Sequence, residues 1–221
     1  MSGGYHHARN MNSKLALNYL SIAFDDYIDA RVLIRQNRLL NGGHLSALAT
    51  EKLLKALILT RGLVPKRVHL DHASQLISQI SAGIPAYQDF IDVAFLHYLG
   101  RIFRMRYYPD QAADQISISR NKLLWELDRL FDRVHDRLRF GSRDVIAAYL
   151  REKQSKSPLL FEDNEWLLGK HELADLEALP DLLEAVYRRI SGETIGIRKE
   201  LPKTFISCKI GEEVIITEGK R

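Results

Sequence analysis

The chain has 221 residues, of which 46% are apolar and 27% charged, and its formal net charge is +4. This length holds one full domain with a small appendage, and the apolar share is high enough to build a core. The single cysteine, Cys208, excludes an internal disulfide framework and a cysteine-rich zinc site. No apolar run approaches the roughly 20 residues that span a bilayer, and the N-terminus lacks the apolar core of a secretory signal. We therefore expect a cytoplasmic protein without membrane segments, whose mildly basic charge permits a phosphate-bearing partner.

The first two helices are predicted from apolar residues that recur at three- and four-residue steps. Ser13 can cap the first helix, which is expected to end near Arg38. The apolar stripe of this helix contains Ala16, Tyr19, Leu20, Ala23, Phe24, Tyr27, Ala30 and Ile34. The second helix is expected to begin after Gly42-Gly43 and to end at Gly62. Its apolar stripe contains Leu45, Leu48, Ala49, Leu53, Ala56 and Leu57.

Three further helices complete the predicted bundle. A short third helix is expected at about 71–80, a fourth at about 90–102 and a long fifth at about 123–138. Short loops between successive helices favour antiparallel neighbours. The sequence therefore predicts a mainly α protein in which residues 13–139 form an up-and-down helical bundle.

The character of the sequence changes after Gly141. Residues 142–153 are compatible with a helix and residues 154–158 with a linker. Residues 180–190 are a candidate for another helix, and residues 204–217 are typical of two short strands around Gly211. We expect residues 141–221 to form a small C-terminal α+β appendage, whose role the sequence does not indicate.

Three local motifs together suggest a family. The first motif is Glu-Lys-Leu-Leu-Lys-Ala-Leu at 51–57, which is followed by Gly62 and Pro65. The second is His72, near the start of the third helix. The third is Arg-Tyr-Tyr-Pro-Asp at 106–110, which precedes the last long helix. This set resembles HEPN domains, small helical modules found beside nucleotidyltransferases and in prokaryotic ribonuclease toxins. The resemblance covers roughly residues 13–139. Two departures are a one-residue shift of the histidine and one extra tyrosine in the last motif.

The resemblance implies a HEPN-like bundle that dimerises, that binds nucleotide or RNA, and that often has a nucleotidyltransferase partner. Arginine forks match phosphate oxygens and tyrosine rings stack on bases, so the arginine-rich segment before the fifth helix is the better candidate for the ligand site. Lys55 could instead pair with Glu51 one turn away, and the tyrosines could instead pack their loop onto the bundle. The candidate ligand-binding residues are Arg101, Arg104, Arg106, Tyr107, Tyr108, Lys55 and His72.

Ribonuclease members of the HEPN family carry an arginine followed, roughly four to six residues later, by a histidine. Such a pair can steady phosphate charge and move the proton of a 2′-hydroxyl without a metal. Arg38 with His44 has this spacing but flanks an interhelical loop. Arg129 with His135 lies inside the fifth helix, where six residues at about 100° each put the side chains about 120° apart. On a straight helix these two side chains would not converge. They lie in the general region where the family resemblance implies the motif, so Arg129 and His135 are the candidate catalytic pair, and a packing or dimer-contact role is the alternative for His135.

Three functions remain open at this point. The first is a HEPN-like module that binds nucleotide or RNA, as a homodimer and with a nucleotidyltransferase as a candidate partner; the second is a dimerising interaction scaffold. The third is a metal-independent endoribonuclease that acts as the toxin of a toxin–antitoxin or defence system. No phosphate-cradling or dinucleotide-binding glycine pattern is present, and His69 and His72 have only Asp71 nearby as a third metal ligand. We predict neither a cofactor nor a metal, and we favour the binding module.

Overall fold

A computed structural model of the protein describes residues 3–67, 69–107, 115–138, 147–169, 173–176, 181–188 and 194–201. The helices in this part are α1 (Gly3–Arg35), α2 (Leu39–Thr60), α3 (Ala73–Gly83), α4 (Val93–Tyr107), α5 (Arg120–His135), α6 (Ala148–Gln154), α7 (Pro158–Phe161), α8 (Glu165–Leu168) and α9 (Leu173–Leu176). The strands are β1 (Gln115–Ser119), β2 (Asp181–Arg188) and β3 (Thr194–Leu201), and a 3₁₀ turn at Leu70–His72 precedes α3. The prediction of a mainly α protein with a helical bundle is confirmed. None of the described helices combines the length and apolarity needed to cross a membrane.

The pairing of α1 with α2 corrects one prediction. Gly42 and Gly43 were expected to precede the second helix, but both lie inside α2, which begins at Leu39. A Cβ atom at residue 42 would lie 2.4 Å from Ile34 Cγ1 and 3.1 Å from the carbonyl oxygen of Ala30. Gly42 therefore allows the two helices to approach closely, instead of marking a break between them. The turn between them uses Asn37, whose φ of 60° is a conformation that asparagine tolerates.

One hydrophobic core connects the bundle with the residues that follow it. The ring of Tyr27 on α1 stacks on Phe131 of α5, with centroids 4.1 Å apart. Tyr149 of α6 packs edge-on against Tyr27, and Leu160 of α7 is fully buried in the same core. Residues 148–161 therefore pack on α1 and α5. The division of the chain into 13–139 and 141–221 stays a prediction.

A buried polar cluster lies beneath these aromatic rings. Arg31 of α1 forms an ion pair with Asp128 of α5, and both side chains are almost completely buried. Tyr27 Oη donates a 2.7 Å hydrogen bond to Asp128, and Arg31 Nη2 donates a 2.7 Å bond to the carbonyl oxygen of Glu162. Asn164 Nδ2 lies 3.4 Å from Tyr27 Oη. The cluster thus ties α1, α5 and the connection between α7 and α8 together.

The small sheet has the order β1–β2–β3 with antiparallel neighbours. The expected helix at 180–190 is wrong, because residues 181–188 form β2, which pairs with a strand on each side. β1 was not predicted, although the alternation of Ile116 and Ile118, both buried, is a period-two signal. The strands expected at 204–217 lie outside the described residues.

Candidate functional site

One face of α4 carries cationic and imidazole side chains. His97, Arg101 and Arg104 follow each other at steps of four and three residues, so they project from the same side of the helix. His97 is exposed and the two arginines are half-buried, whereas Leu99 and Ile102 on the opposite side are fully buried in the core. The amphipathic pattern of α4 therefore fixes the orientation of the two arginines toward the surface.

His69, just before the 3₁₀ turn, lies against α4. Its side chain is 63% exposed, and its ring is nearly parallel to that of Phe103, with centroids 5.8 Å apart. The ring of His44 on α2 stacks on Phe103 at 5.1 Å. Phe103 is itself buried and contacts both imidazoles. Arg104 directly follows Phe103 in the sequence.

A buried carboxylate holds His69 in place. Glu51 of α2 is only 7% exposed; its Oε2 lies 3.2 Å from His69 Nδ1, and its Oε1 accepts a 2.6 Å hydrogen bond from Lys55 Nζ. When Nδ1 carries the proton it donates to Glu51, which leaves Nε2 of the exposed ring for another partner. Lys55 is 10% exposed and its charge is compensated by Glu51. It therefore supports the site through Glu51 and does not present an exposed ammonium group.

The other candidate ligand-binding residues are placed as follows. His72 is exposed at the end of the 3₁₀ turn, on the segment that packs against α4 and α2. Arg106 and Tyr107 are the last residues of α4, but their side chains, and all of Tyr108, lie outside the described part of the chain. The structure thus places Arg101 and Arg104 on α4 and His72 on the 3₁₀ turn that packs against α4. The sequence pointed to His69 only as a weak metal ligand, because its contact with Phe103, 34 positions later, is not a local pattern.

The candidate catalytic pair on α5 has a different environment. Arg129 donates from Nε and Nη2 to Glu126 Oε2 at 3.0 and 2.6 Å, and its guanidinium lies over the ring of Trp125. His135 is 3% exposed, donates from Nδ1 to the carbonyl oxygen of Phe131 at 2.7 Å, and stacks on Tyr149 with centroids 4.2 Å apart.

Burial lowers the pKa of His135 to about 4, so the ring is neutral near pH 7. Its Nε2 is buried without a hydrogen-bond partner in the described residues. In the other pair, Arg38 is exposed and His44 is buried. Arg129 and His135 are thus each engaged in their own surroundings, and catalysis by this pair stays a prediction.

No group of three histidine, cysteine, aspartate or glutamate side chains suited to a metal ion occurs among the described residues. Comparison of the chain with protein-family models, with curated proteins and with solved structures finds no match. The resemblance to HEPN domains accordingly depends on the three sequence motifs.

Proposed function

We propose that this protein is a HEPN-like module that binds nucleotide or RNA as a homodimer, through the face of α4 and the 3₁₀ turn beside it. The observation that carries the proposal is that Arg101 and Arg104, one helical turn apart, share one face of α4, while the exposed ring of His69 stacks on Phe103, the residue before Arg104. Homodimerisation and a nucleotidyltransferase partner are proposed from the family resemblance.

The chemistry of this face suits a phosphate-bearing ligand with bases. Guanidinium groups bind phosphate oxygens with two parallel hydrogen bonds, which makes arginine the preferred residue for such contacts. His69 offers a flat surface on which a base can stack, because Glu51 and Phe103 fix its ring while more than half of the side chain is exposed. His97 on α4 and His72 on the 3₁₀ turn add an exposed imidazole to each of these two elements.

The proposal is tested by fluorescence anisotropy with a labelled single-stranded oligoribonucleotide over a series of salt concentrations. Each lost phosphate contact lowers the slope of log Kd against log salt by roughly 0.7, so the double variant Arg101→Gln/Arg104→Gln should lose about 1.4. His69→Ala should weaken binding roughly fivefold or more through the loss of stacking. Arg151→Gln, which removes an exposed arginine of α6, is the matched control and should leave affinity and slope unchanged.

Equal affinity and equal slope for the wild type and the double arginine variant would refute a ligand site on α4. The same oligoribonucleotide, incubated without metal and analysed on a gel, distinguishes binding from cleavage. Cleavage that is lost in His135→Ala or Arg129→Ala would make the protein an endoribonuclease instead. Light scattering of the wild type measures its oligomeric state, and a monomer would refute the homodimer.

A further inference from the structure

A second concave site lies away from the face of α4. It is a cavity of about 630 Å³ between the C-terminal end of α1, the first half of α5, and the three residues Asp163, Glu165 and Leu176. Pockets of roughly 300–1,000 Å³ are the usual size of small-molecule sites. Its wall combines apolar side chains, among them Trp125 and Val32, with the charged side chains of Arg35 and Arg120. The cavity is thus large enough, and mixed enough in character, for an organic ligand.

Arg120 provides a positioned positive charge in this cavity. Its Nε donates to Asn121 Oδ1 and its Nη1 to Asn37 Oδ1, both at 3.3 Å, so two neutral amide oxygens fix the guanidinium. No carboxylate pairs with it in the described part of the chain. Arg120 is also the first residue of α5, a helix of 16 residues, where the helix dipole adds positive potential.

Two of the carboxylates in the cavity wall are already compensated. Asp128 forms its ion pair with Arg31 on the buried side, and Asp163 accepts a 2.7 Å bond from Arg35 Nη2. Glu165 is the third carboxylate of the wall. The charge of Arg35 is therefore compensated by a carboxylate of the protein, whereas Arg120 has no ion-pair partner among the described residues.

The apolar part of the wall is incompletely covered. Val32 is 42% exposed, although it is a large apolar residue, and Trp125, which is only 7% exposed, lines the wall beside it. Behind this wall, Trp125 packs edge-to-face against Trp166 at 5.3 Å and lies under the guanidinium of Arg129. These contacts hold the indole in one position, as a flat binding surface requires.

We propose that this cavity binds a small organic anion with a flat apolar body. The carboxylate or phosphate group of the ligand lies at Arg120 and the start of α5, and its apolar body covers Val32 and Trp125. The proposal is independent of nucleotide binding at α4, since the cavity is lined by α1, α5 and the residues after α7.

The probe for this site is 8-anilinonaphthalene-1-sulfonate, an aromatic anion whose fluorescence rises in an apolar site. The chain has two tryptophans, which form the Trp125–Trp166 pair, so energy transfer from tryptophan reports that the probe is bound, and the variants locate its site. We expect saturation at one probe per chain. Arg120→Gln removes the charge but keeps a donor for the asparagines, and it should weaken binding roughly tenfold or more.

Three further variants make the test specific. Arg120→Lys keeps the charge and should therefore recover part of the affinity lost in Arg120→Gln. The recovery should be incomplete, because an ammonium group cannot form the two parallel hydrogen bonds of a guanidinium. Val32→Glu places a negative charge on a partly exposed position of the wall and should also abolish tight binding. Arg133→Gln is the matched control, since it removes an exposed arginine above Trp166 but outside the cavity wall.

Thermal unfolding of each variant confirms that it is folded before its affinity is compared. Wild-type affinity in both Arg120→Gln and Val32→Glu would overturn the proposal, as would binding of many probes per chain without saturation. Equal weakening by Arg133→Gln and Arg120→Gln would also overturn it, because the effect would then be one of net charge alone.

Discussion

The free energy of unfolding should fall as the pH drops from about 6.5 towards 4, because His135 is buried in its neutral form. Burial holds the pKa of this ring at about 4 in the folded protein, against an ordinary value of 6.5. Between these values the unfolded chain binds a proton that the folded chain excludes. The stability contributed by the neutral ring is therefore fully present above about pH 6.5 and is lost as the pH falls.

The size of the effect follows from the two pKa values. At about pH 4.5 the unfolded state gains roughly 2.7 kcal/mol from protonation of the imidazole, whereas the folded state gains roughly 0.2 kcal/mol. The histidine thus costs the folded protein about 2.5 kcal/mol at this pH, and almost nothing at about pH 7.5. This amount is a large fraction of the stability of an ordinary domain.

His135→Phe isolates this contribution. Phenylalanine keeps a ring between Phe131 and Tyr149 and removes Nε2, which is buried without a hydrogen-bond partner in the described residues. Urea unfolding of both proteins at each pH gives the difference in free energy, in which a constant packing cost and most other titrating groups cancel. The variant should gain about 2.5 kcal/mol relative to the wild type between about pH 7.5 and 4.5.

A relative gain of less than about 1 kcal/mol would refute the reasoning. It would mean that the imidazole of His135 accepts a proton in the folded protein, as a solvent-accessible histidine does. An accessible His135 would also remove the physical objection to its predicted role in catalysis. The same titration therefore bears on the enzyme hypothesis.

Two other substitutions test the packing of the bundle by urea unfolding near neutral pH. Gly42→Ala should destabilise the protein by about 1–3 kcal/mol, because the added Cβ would overlap Ile34 on α1. An unchanged or higher free energy of unfolding would show that α1 and α2 can move apart freely. Asp128→Asn should cost about 3–5 kcal/mol, since it leaves Arg31 buried without its counter-ion, and a loss below about 1 kcal/mol would contradict the buried ion pair.

The helices could be predicted from the sequence where the pattern is local. Ala16, Leu20, Ala23, Tyr27 and Ile34 recur at helical steps, and all are buried on α1. The failures come from contacts between distant positions. Gly42 and Gly43 are typical of a helix boundary in the sequence alone, because the close contacts of Gly42 with Ile34 of α1 and of Gly43 with Ile102 of α4 depend on how helices pack, which no single segment encodes. Residues 181–188 likewise form a strand because β1, more than sixty positions earlier, pairs with them.

The candidate site divides in the same way. Arg101 and Arg104 could be identified from composition and spacing alone, since two arginines one turn apart share a helix face. The pair formed by Glu51 and His69 could not, because it joins α2 to a loop 18 positions later and depends on the stacking of His69 on Phe103. The cavity beside Arg120 is formed by three separate segments, so its existence follows only from the tertiary structure.

The buried cluster around Arg31 connects the core to the cavity. Asp128 is the ion-pair partner of Arg31 and also forms part of the cavity wall. Arg31 also donates to the carbonyl oxygen of Glu162. Glu162 directly precedes Asp163, which lies on the opposite wall. One buried arginine thus holds α5 and the segment after α7 at the separation that the cavity needs. A ligand that binds only the folded protein must stabilise it. The loss of this ion pair in Asp128→Asn should therefore weaken anion binding as well as folding, although residue 128 would make no direct contact with the anionic group at Arg120.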